Sequence, residues 1–166
     1  RGSGCAVIVN VFGYSQDEYV AVVSRLNGCE GIDAYELNIS CPNTEQGGMV
    51  FGTRADATRE LVARVRERSD RPLFVKLSPT VTDIGEIAGA AQAGGADALT
   101  VANTYLAMAI DSETFRPRLK NVTGGLSGPS IRPITLRMVY ETARAVRIPV
   151  IGLGGIASGS DAIEYL

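Results

Sequence analysis

The most constraining feature of this sequence is a repeated alternation of short apolar runs with longer amphipathic stretches. The runs are continuously apolar and rich in branched aliphatic residues, and they lie at Ala6 to Val11, Ala34 to Ile39, Leu73 to Leu77, Ala98 to Val101 and Pro149 to Leu153. Runs of this kind predict strands buried on both faces, as in parallel sheets. Because each run is followed by a helical stretch, the sequence predicts parallel strands joined by right-handed crossovers.

The stretches between the runs carry the signals of helices. Ser15 followed by Glu18 is a capping box, which predicts a helix to about Leu26. The charged stretch Arg54 to Arg68 predicts a second helix, and a last helix begins near Ser160. The buried stripes predicted for the two helices between them are Ile84, Ile87, Ala88 and Ala91 in one, and Ile134, Leu136, Val139, Tyr140 and Ala143 in the other.

The pattern favours a barrel over an open doubly wound sheet. An open sheet that binds dinucleotides would carry Gly-x-Gly-x-x-Gly after its first strand, and Val11-Phe12-Gly13-Tyr14 does not match. A complete (β/α)8 TIM barrel needs about 250 residues. We therefore expect residues 1–166 to form a single α/β domain, a partial TIM barrel of about strands 3 or 4 to 7, without the N-terminal strands and the last strand. The polar segment Tyr105 to Ser130 is long for a connection and predicts a functional loop.

Composition excludes several classes of function. The net charge of -2 gives no electrostatic footprint for nucleic acid, and no apolar run approaches the length of a membrane span. We expect a cytoplasmic protein. Three cysteines without a Cys-x-x-Cys pair predict neither a disulfide framework nor a metal site. The absence of histidine leaves proton transfer to Cys, Lys, Tyr, Asp or Glu.

Polar side chains close most of the apolar runs, where parallel barrels gather their reacting groups. These residues are Asn10, Asn38, Ser40, Cys41, Asn43, Lys76, Asn103 and Thr104. The amides of several asparagines suit a planar ligand with ring N–H and C=O groups, such as a pyrimidine. A turn or a helix cap also explains each asparagine taken alone.

Two of these side chains and two glycine-rich segments suggest chemistry. Lys76 interrupts an apolar strand, so it binds a flavin or a phosphate, forms a Schiff base, or extends to solvent. Cys41 follows a strand and precedes a proline, where a thiol acts as a base or a nucleophile or simply packs. The segments 124–128 and 152–155 let backbone amides approach a phosphate, especially ahead of the helix near Ser160.

Together these segments resemble the dihydroorotate dehydrogenase family. The resemblance rests on Tyr35-Glu36-Leu37-Asn38-Ile39-Ser40-Cys41-Pro42-Asn43, Val75-Lys76-Leu77-Ser78-Pro79, Asn103-Thr104, Gly124-Gly125-Leu126-Ser127-Gly128 and Ile151-Gly152-Leu153-Gly154-Gly155-Ile156. A cysteine in the first segment is similar to the soluble class 1 enzymes, whereas class 2 enzymes have serine there. The Val-Lys-Leu-Ser-Pro segment followed by Val81-Thr82-Asp83-Ile84, and the Gly-Gly-Leu-Ser-Gly-Pro segment, are more similar to the NAD-linked 1B catalytic subunit than to the fumarate-linked 1A enzyme.

The resemblance implies an activity and a set of site residues. Cys41 would take the C5 proton of dihydroorotate while a hydride leaves C6 for N5 of FMN, which gives orotate in de novo pyrimidine biosynthesis. The implied substrate contacts are Asn38, Asn43, Asn103 and Thr104, and the implied FMN contacts are Asn10, Asn38, Lys76, Ala102, Gly128, Gly154 and Gly155. The implied partners are a second copy of the chain and an FAD and iron–sulfur subunit. Without the missing strands, this chain alone should bind FMN poorly.

Three alternatives remain open at this point. The flavin barrel of dihydropyrimidine dehydrogenase is similar, but it typically has histidine at the position of Asn43. A flavin-free aldolase-type barrel would use Lys76 as a Schiff base. An incomplete barrel without catalytic activity is the third alternative. Such a barrel would expose sheet edges and apolar core surface, which favours aggregation.

Overall fold

The computed structural model describes residues 4–40 and 51–166, and their main feature is a five-stranded parallel sheet. The strand order is β1-β2-β3-β4-β7, with β1 Ile8–Val11, β2 Ala34–Asn38, β3 Leu73–Lys76, β4 Ala98–Val101 and β7 Val150–Gly152. Each of the predicted apolar runs contains one of these strands. The strands follow the chain in sequential order, as in a barrel, and the predicted α/β partial barrel is confirmed.

Helices connect the parallel strands. They are α1 Gln16–Leu26, α2 Ala55–Arg66, α3 Ile84–Ala93 and α4 Arg132–Ala145, and a further helix, α5 Gly159–Ile163, follows β7. Neighbours in the series α1 to α4 pack against one another. The core lies between this helical layer and the sheet, where Tyr19, Leu37, Leu61, Val75 and Leu99 are fully buried.

One face of the sheet packs on the helices, and the other face corresponds to the interior of the barrel. The register of the strands places the side chains of this interior face in two layers. Side chains alternate between the faces of a strand, and the buried Leu37, Val75 and Leu99 mark the face that packs on the helices. The lower layer of the other face contains Asn10, Glu36, Phe74 and Ala98. The upper layer, nearer the C-terminal ends of the strands, contains Asn38, Lys76, Thr100 and Ile151.

The segment predicted as a long polar loop contains a β-hairpin instead. Strands β5 Tyr105–Met108 and β6 Thr123–Leu126 pair antiparallel and form a separate two-stranded sheet. The sequence did not reveal it because the second strand is rich in glycine, which strands disfavour. Leu106 on its first strand and Phe115 between its two strands are exposed.

The predicted stripe of α4 is wrong except for Val139, whereas that of α3 is confirmed. Ile84, Ile87, Ala88 and Ala91 of α3 are buried as predicted. In α4, however, the buried residues are Thr135, Met138, Val139 and Thr142, while Ile134 and Tyr140 are exposed. The buried set has the helical spacing i, i+3, i+4, i+7, but two of its members are threonines, which a hydrophobicity pattern passes over. The Thr135 hydroxyl donates to the carbonyl of Ile131, which satisfies it within the helix.

No helix in the described ranges is long and apolar enough to cross a membrane. The same part of the chain contains no group of three or more side chains suited to hold a metal ion.

Candidate active site

The C-terminal edge of the sheet brings three of the predicted site residues together. Asn38 ends β2 and lies opposite Lys76 at the end of β3, and Asn103 follows β4 by two residues. The side chains of Asn38 and Asn103 are joined by a hydrogen bond of 3.1 Å from Nδ2 of Asn103 to Oδ1 of Asn38. The strand ends thus form one polar cluster.

Ser40 completes this cluster and determines how Asn38 is oriented. Its hydroxyl donates to Oδ1 of Asn38 at 2.8 Å and accepts from Nδ2 of Asn103. The backbone N–H of Ser40 also points to Oδ1 of Asn38, at 3.4 Å. A backbone N–H can only donate, so the atom that it faces is the amide oxygen. The NH2 group of Asn38 is therefore left to donate to a ligand.

Helix α1 holds the end of β2 in place from behind. The hydroxyl of Tyr19 donates to the carbonyl of Asn38 at 2.6 Å, and the Tyr19 ring packs edge-on against Phe51 with centroids 5.9 Å apart. Tyr19 is fully buried, so this contact is shielded from water. Gly52 donates its N–H to the carbonyl of Ile39 at 3.1 Å, and a Cβ at Gly52 would meet that oxygen at 2.7 Å. Only glycine allows this close approach.

Lys76 provides the positive charge of the cluster. It lies in the upper layer between Asn38 and Thr100 and is half-buried. Across residues 4–40 and 51–166, its ammonium group forms neither a hydrogen bond nor an ion pair. A half-buried cation without a partner among the described residues is suited to bind an anionic or carbonyl group of a ligand.

The lower layer contains a second polar group that the sequence predictions included only through Asn10. The carboxylate of Glu36 accepts from Nδ2 of Asn10 at 2.6 Å and from the hydroxyl of Thr100 at 2.6 Å. Glu36 and Thr100 were not predicted as site residues, and Ser40 was noted at a strand end but was given no role. The signal for Glu36 was present in the sequence, since a charge inside an apolar strand is the same signal that singled out Lys76.

Three predicted glycines meet at the start of α4. Gly128, Gly154 and Gly155 all have positive φ, of 98°, 138° and 71°, which strongly favours glycine. A Cβ at Gly155 would lie 2.9 Å from the backbone N of Arg132, so the loop after β7 packs directly on the first turn of α4. Within the described residues none of the three backbone N–H groups has a hydrogen-bond partner. This arrangement suits a phosphate, which binds to free backbone N–H groups at helix starts.

Tyr165 supports the same loop from below. Its hydroxyl donates to the carbonyl of Gly154 at 2.7 Å. Burial raises the pKa of Tyr165, so the hydroxyl stays protonated and remains a donor at neutral pH.

The start of α5 contributes less than the sequence suggested. Ser158 and Asp161 form a capping box, and the Asp161 carboxylate accepts from the N–H groups of Ala157 and Ser158 at 2.9 and 3.0 Å. Arg132 forms an ion pair with the same carboxylate. Because these amides are already bound, the amides of this region that lack a partner among the described residues are those of Gly154 and Gly155, ahead of the cap.

The other predicted site residues have diverse positions. Ala102 is buried directly after β4. Thr104 is exposed and lies against Gly125 of the hairpin, where a Cβ would overlap its side chain. Cys41 and Asn43 lie outside the described residues, so their predicted roles remain predictions.

Comparison with known proteins identifies related sequences over the whole chain. The family model described as dihydroorotate dehydrogenase matches residues 3–166. The catalytic subunit of dihydroorotate dehydrogenase B (NAD(+)) from Trichlorobacter lovleyi is 54% identical over 100% of this chain and 55% of its own length. The subunit of the same name from Porphyromonas gingivalis is 54% identical over 96% of this chain and 52% of its own length. A relative from Solibacter usitatus with the provisional name dihydroorotate dehydrogenase A (fumarate) is 53% identical over 99% of this chain and 54% of its own length.

Solved structures show the same fold. The dihydroorotate dehydrogenase of Eimeria tenella in complex with ferulenol superposes with a TM-score of 0.77 at 24% identity, over 99% of this chain and 50% of that one. The ligand-free form from the same organism gives a TM-score of 0.71 at 26% identity, over 90% of this chain and 47% of that one. The chain thus spans about half the length of the relatives that it matches. With its family motifs on adjoining strand ends and a family match over nearly its whole length, this chain belongs to the dihydroorotate dehydrogenase family.

Proposed function

We propose that this chain is the flavin- and substrate-binding part of an NAD-linked class 1 dihydroorotate dehydrogenase, which oxidises (S)-dihydroorotate to orotate in pyrimidine biosynthesis. The observation that carries this proposal is the hydrogen-bonded cluster of Asn38, Ser40 and Asn103 beside Lys76. The cluster lies at the C-terminal edge of the strands, where barrels of this type bind their ligands.

The residues of the cluster suit the chemistry of the substrate. A dihydropyrimidine ring presents carbonyl groups and ring N–H groups in one plane, and its carboxylate carries a negative charge. The free NH2 group of Asn38 would donate to a carbonyl, and Asn43, Asn103 and Thr104 would supply further polar contacts. These contacts would hold the ring so that its C5 proton faces the base.

The residues of the barrel interior suit FMN. Lys76 would hold the N1 and C2 carbonyl edge of the isoalloxazine ring, where a positive charge favours the reduced form, and Asn10, Asn38 and Ala102 would contact the ring system. The N–H groups of Gly128, Gly154 and Gly155, which have no hydrogen-bond partner among the described residues, would hold its phosphate. FMN, when bound, supplies the acceptor for the hydride that leaves C6 of the substrate.

Cys41 would be the base. It follows Ser40 directly in the sequence, and a thiol with an ordinary pKa of about 8.5 can lose its proton near neutral pH where histidine is absent. The Cys41 thiolate would take the C5 proton as the hydride leaves C6, so the substrate loses one proton and one hydride and becomes orotate.

The names of the relatives support the proposed partners. The names of the T. lovleyi and P. gingivalis relatives describe a catalytic subunit of an NAD-linked enzyme. A protein of this type would pass its electrons to a second subunit that carries FAD and an iron–sulfur cluster. We also propose a homodimeric catalytic subunit that acts in the cytoplasm.

The test of this function is a Cys41→Ser change in the complete barrel protein, by which we mean a polypeptide that carries residues 1–166 together with the remaining segments of the barrel. Flavin reduction by dihydroorotate is followed by stopped-flow absorbance between pH 6 and 10. We expect the reduction rate of the unchanged protein to rise with pH as the thiol ionises. The Cys41→Ser protein should be slower by at least about a hundredfold at pH 7, which is the usual contribution of a positioned base.

Cys29→Ser is the matched control, because Cys29 is a free, exposed cysteine on the loop after α1. It should leave the reduction rate unchanged. Equal rates for the Cys41→Ser and the unchanged protein across this pH range would show that Cys41 is not the base. Faster reduction by dihydrouracil than by dihydroorotate would overturn the proposed substrate.

A further inference from the structure

Glu36 is the one carboxylate on the five described strands of the sheet, and it points to the interior of the barrel. Its neighbours Tyr35 and Leu37 are fully buried against the helices, so Glu36 lies on the opposite face, in the lower layer. It accepts from Nδ2 of Asn10 on β1 and from the hydroxyl of Thr100 on β4, both at 2.6 Å. The carboxylate therefore links three strands of the sheet directly beneath the proposed flavin site.

The contact with Glu36 determines the orientation of the Asn10 amide. An ionised carboxylate only accepts hydrogen bonds, so the atom of Asn10 that faces it is the NH2 nitrogen and not the oxygen. Within the described residues, Oδ1 of Asn10 has no hydrogen-bond partner. Asn10 thus presents an acceptor, whereas Asn38 in the layer above presents a donor.

Glu36 carries a negative charge in the layer below the positive charge of Lys76. Thr100, which donates to Glu36, is level with Lys76 in the sheet, so the carboxylate lies below the layer that carries the ammonium group. The two groups form no ion pair, and both residues that bind Glu36 are neutral. A negative charge in this position disfavours any added negative charge above it.

We propose that Glu36 is a positioning residue of the flavin site, which fixes the Asn10 amide with its oxygen available to the flavin and lowers the reduction potential of the bound flavin through its negative charge. This proposal rests on the proposed function, because it assumes that the barrel binds FMN. Glu36 and Lys76 then act in opposite directions, since the lysine favours the reduced flavin and the glutamate favours the oxidised flavin.

The experiment compares Glu36→Gln and Glu36→Ala with the unchanged protein, each in the complete barrel protein. The dissociation constant of FMN is measured by quenching of flavin fluorescence, and the midpoint potential by equilibration with redox dyes. Glu36→Gln removes the charge but keeps an oxygen acceptor for Asn10, so FMN should bind within about threefold of the unchanged affinity. Its midpoint potential should rise by about 30 mV, the equivalent of a tenfold change in the relative affinity for reduced and oxidised FMN.

Glu36→Ala removes both the charge and the acceptor. Its potential should rise by a similar amount, and FMN should bind at least about tenfold more weakly, because Asn10 loses the partner that orients it. Glu60→Gln is the matched control, since Glu60 is exposed on α2 and faces away from the barrel interior. It should change neither the potential nor the affinity.

Unchanged potentials in both Glu36 variants, with only a lower melting temperature, would show that Glu36 is a structural contact and would overturn the proposal. If Glu36→Ala does not fold, the potential of Glu36→Gln alone decides. The unchanged protein separates the two hypotheses. If it binds FMN and is reduced by dihydroorotate while both variants keep its potential, only the role of Glu36 is wrong; if it binds no FMN, the proposed function is wrong as well.

Discussion

Replacement of Ser40 by alanine tests whether the asparagine cluster is held in its binding orientation by the protein itself. Ser40 is only 8% exposed, and its hydroxyl makes two hydrogen bonds, one to Asn38 and one from Asn103. A hydrogen bond of this kind contributes about 1 kcal/mol net. After the change, Oδ1 of Asn38 keeps its contacts with the backbone N–H of residue 40 and with Nδ2 of Asn103. We therefore expect Ser40→Ala to cause a free-energy loss of about 1–2 kcal/mol, and not the loss of the whole cluster.

This loss should appear mainly in ligand binding. Since 1.4 kcal/mol corresponds to a tenfold change in an equilibrium constant, orotate should bind about 5- to 30-fold more weakly to the Ser40→Ala protein. Titration calorimetry of the complete barrel protein with orotate measures this, and urea unfolding measures the stability separately. Ser24→Ala on the exposed surface of α1 is the matched control. If Ser40→Ala bound orotate as tightly as the control, the hydrogen bonds of Ser40 would not orient the site.

Two further predictions concern the scaffold. Leu61→Ala on α2 removes a fully buried side chain. It should lower the free energy of unfolding of the complete barrel protein, measured by urea denaturation, by about 2–5 kcal/mol. A decrease below about 1 kcal/mol would show that the helix does not pack on the sheet as described. The hydrogen bonds from Arg54 and from the backbone N–H of Ala57 lower the pKa of Asp56 from 3.8 to about 2. The ionised form of Asp56 is therefore favoured in the folded state. Its contribution to stability is present at neutral pH and is lost as the pH falls from about 4 to 2. An NMR titration should find this midpoint and Arg54→Ala should move it toward 3.8, whereas an ordinary midpoint in the unchanged protein would contradict the contact.

The elements of the barrel could be predicted from the sequence because their signals are local. The runs that contain Leu73–Lys76 and Ala98–Val101 are apolar except for Lys76 and Thr100, and this local pattern was enough to locate both strands. Of the two, only Ala98–Val101 is buried on both faces, because Phe74 and Lys76 lie half-buried on the interior face of the barrel. The cap at Ser15 is also local, and its side chain accepts from the N–H of Glu18 as the capping box predicts. The hairpin formed by Tyr105–Met108 and Thr123–Leu126 was missed because its two strands stabilise each other across a long separation in the chain.

The order of residues along the chain was enough to predict which residue types stand at the strand ends, and hence that Asn38, Lys76 and Asn103 share one edge of a parallel sheet. Which atom of each amide is available to a ligand could be seen only in the folded protein. The orientation of the amides depends on the hydrogen bonds of Ser40 with Asn38 and Asn103 and on those of Glu36, one of which comes from Thr100 on β4. The direction of an asparagine amide depends on the partners that meet it in space, and contacts such as that between Glu36 and Thr100, which are 64 residues apart, leave no periodic trace in the chain.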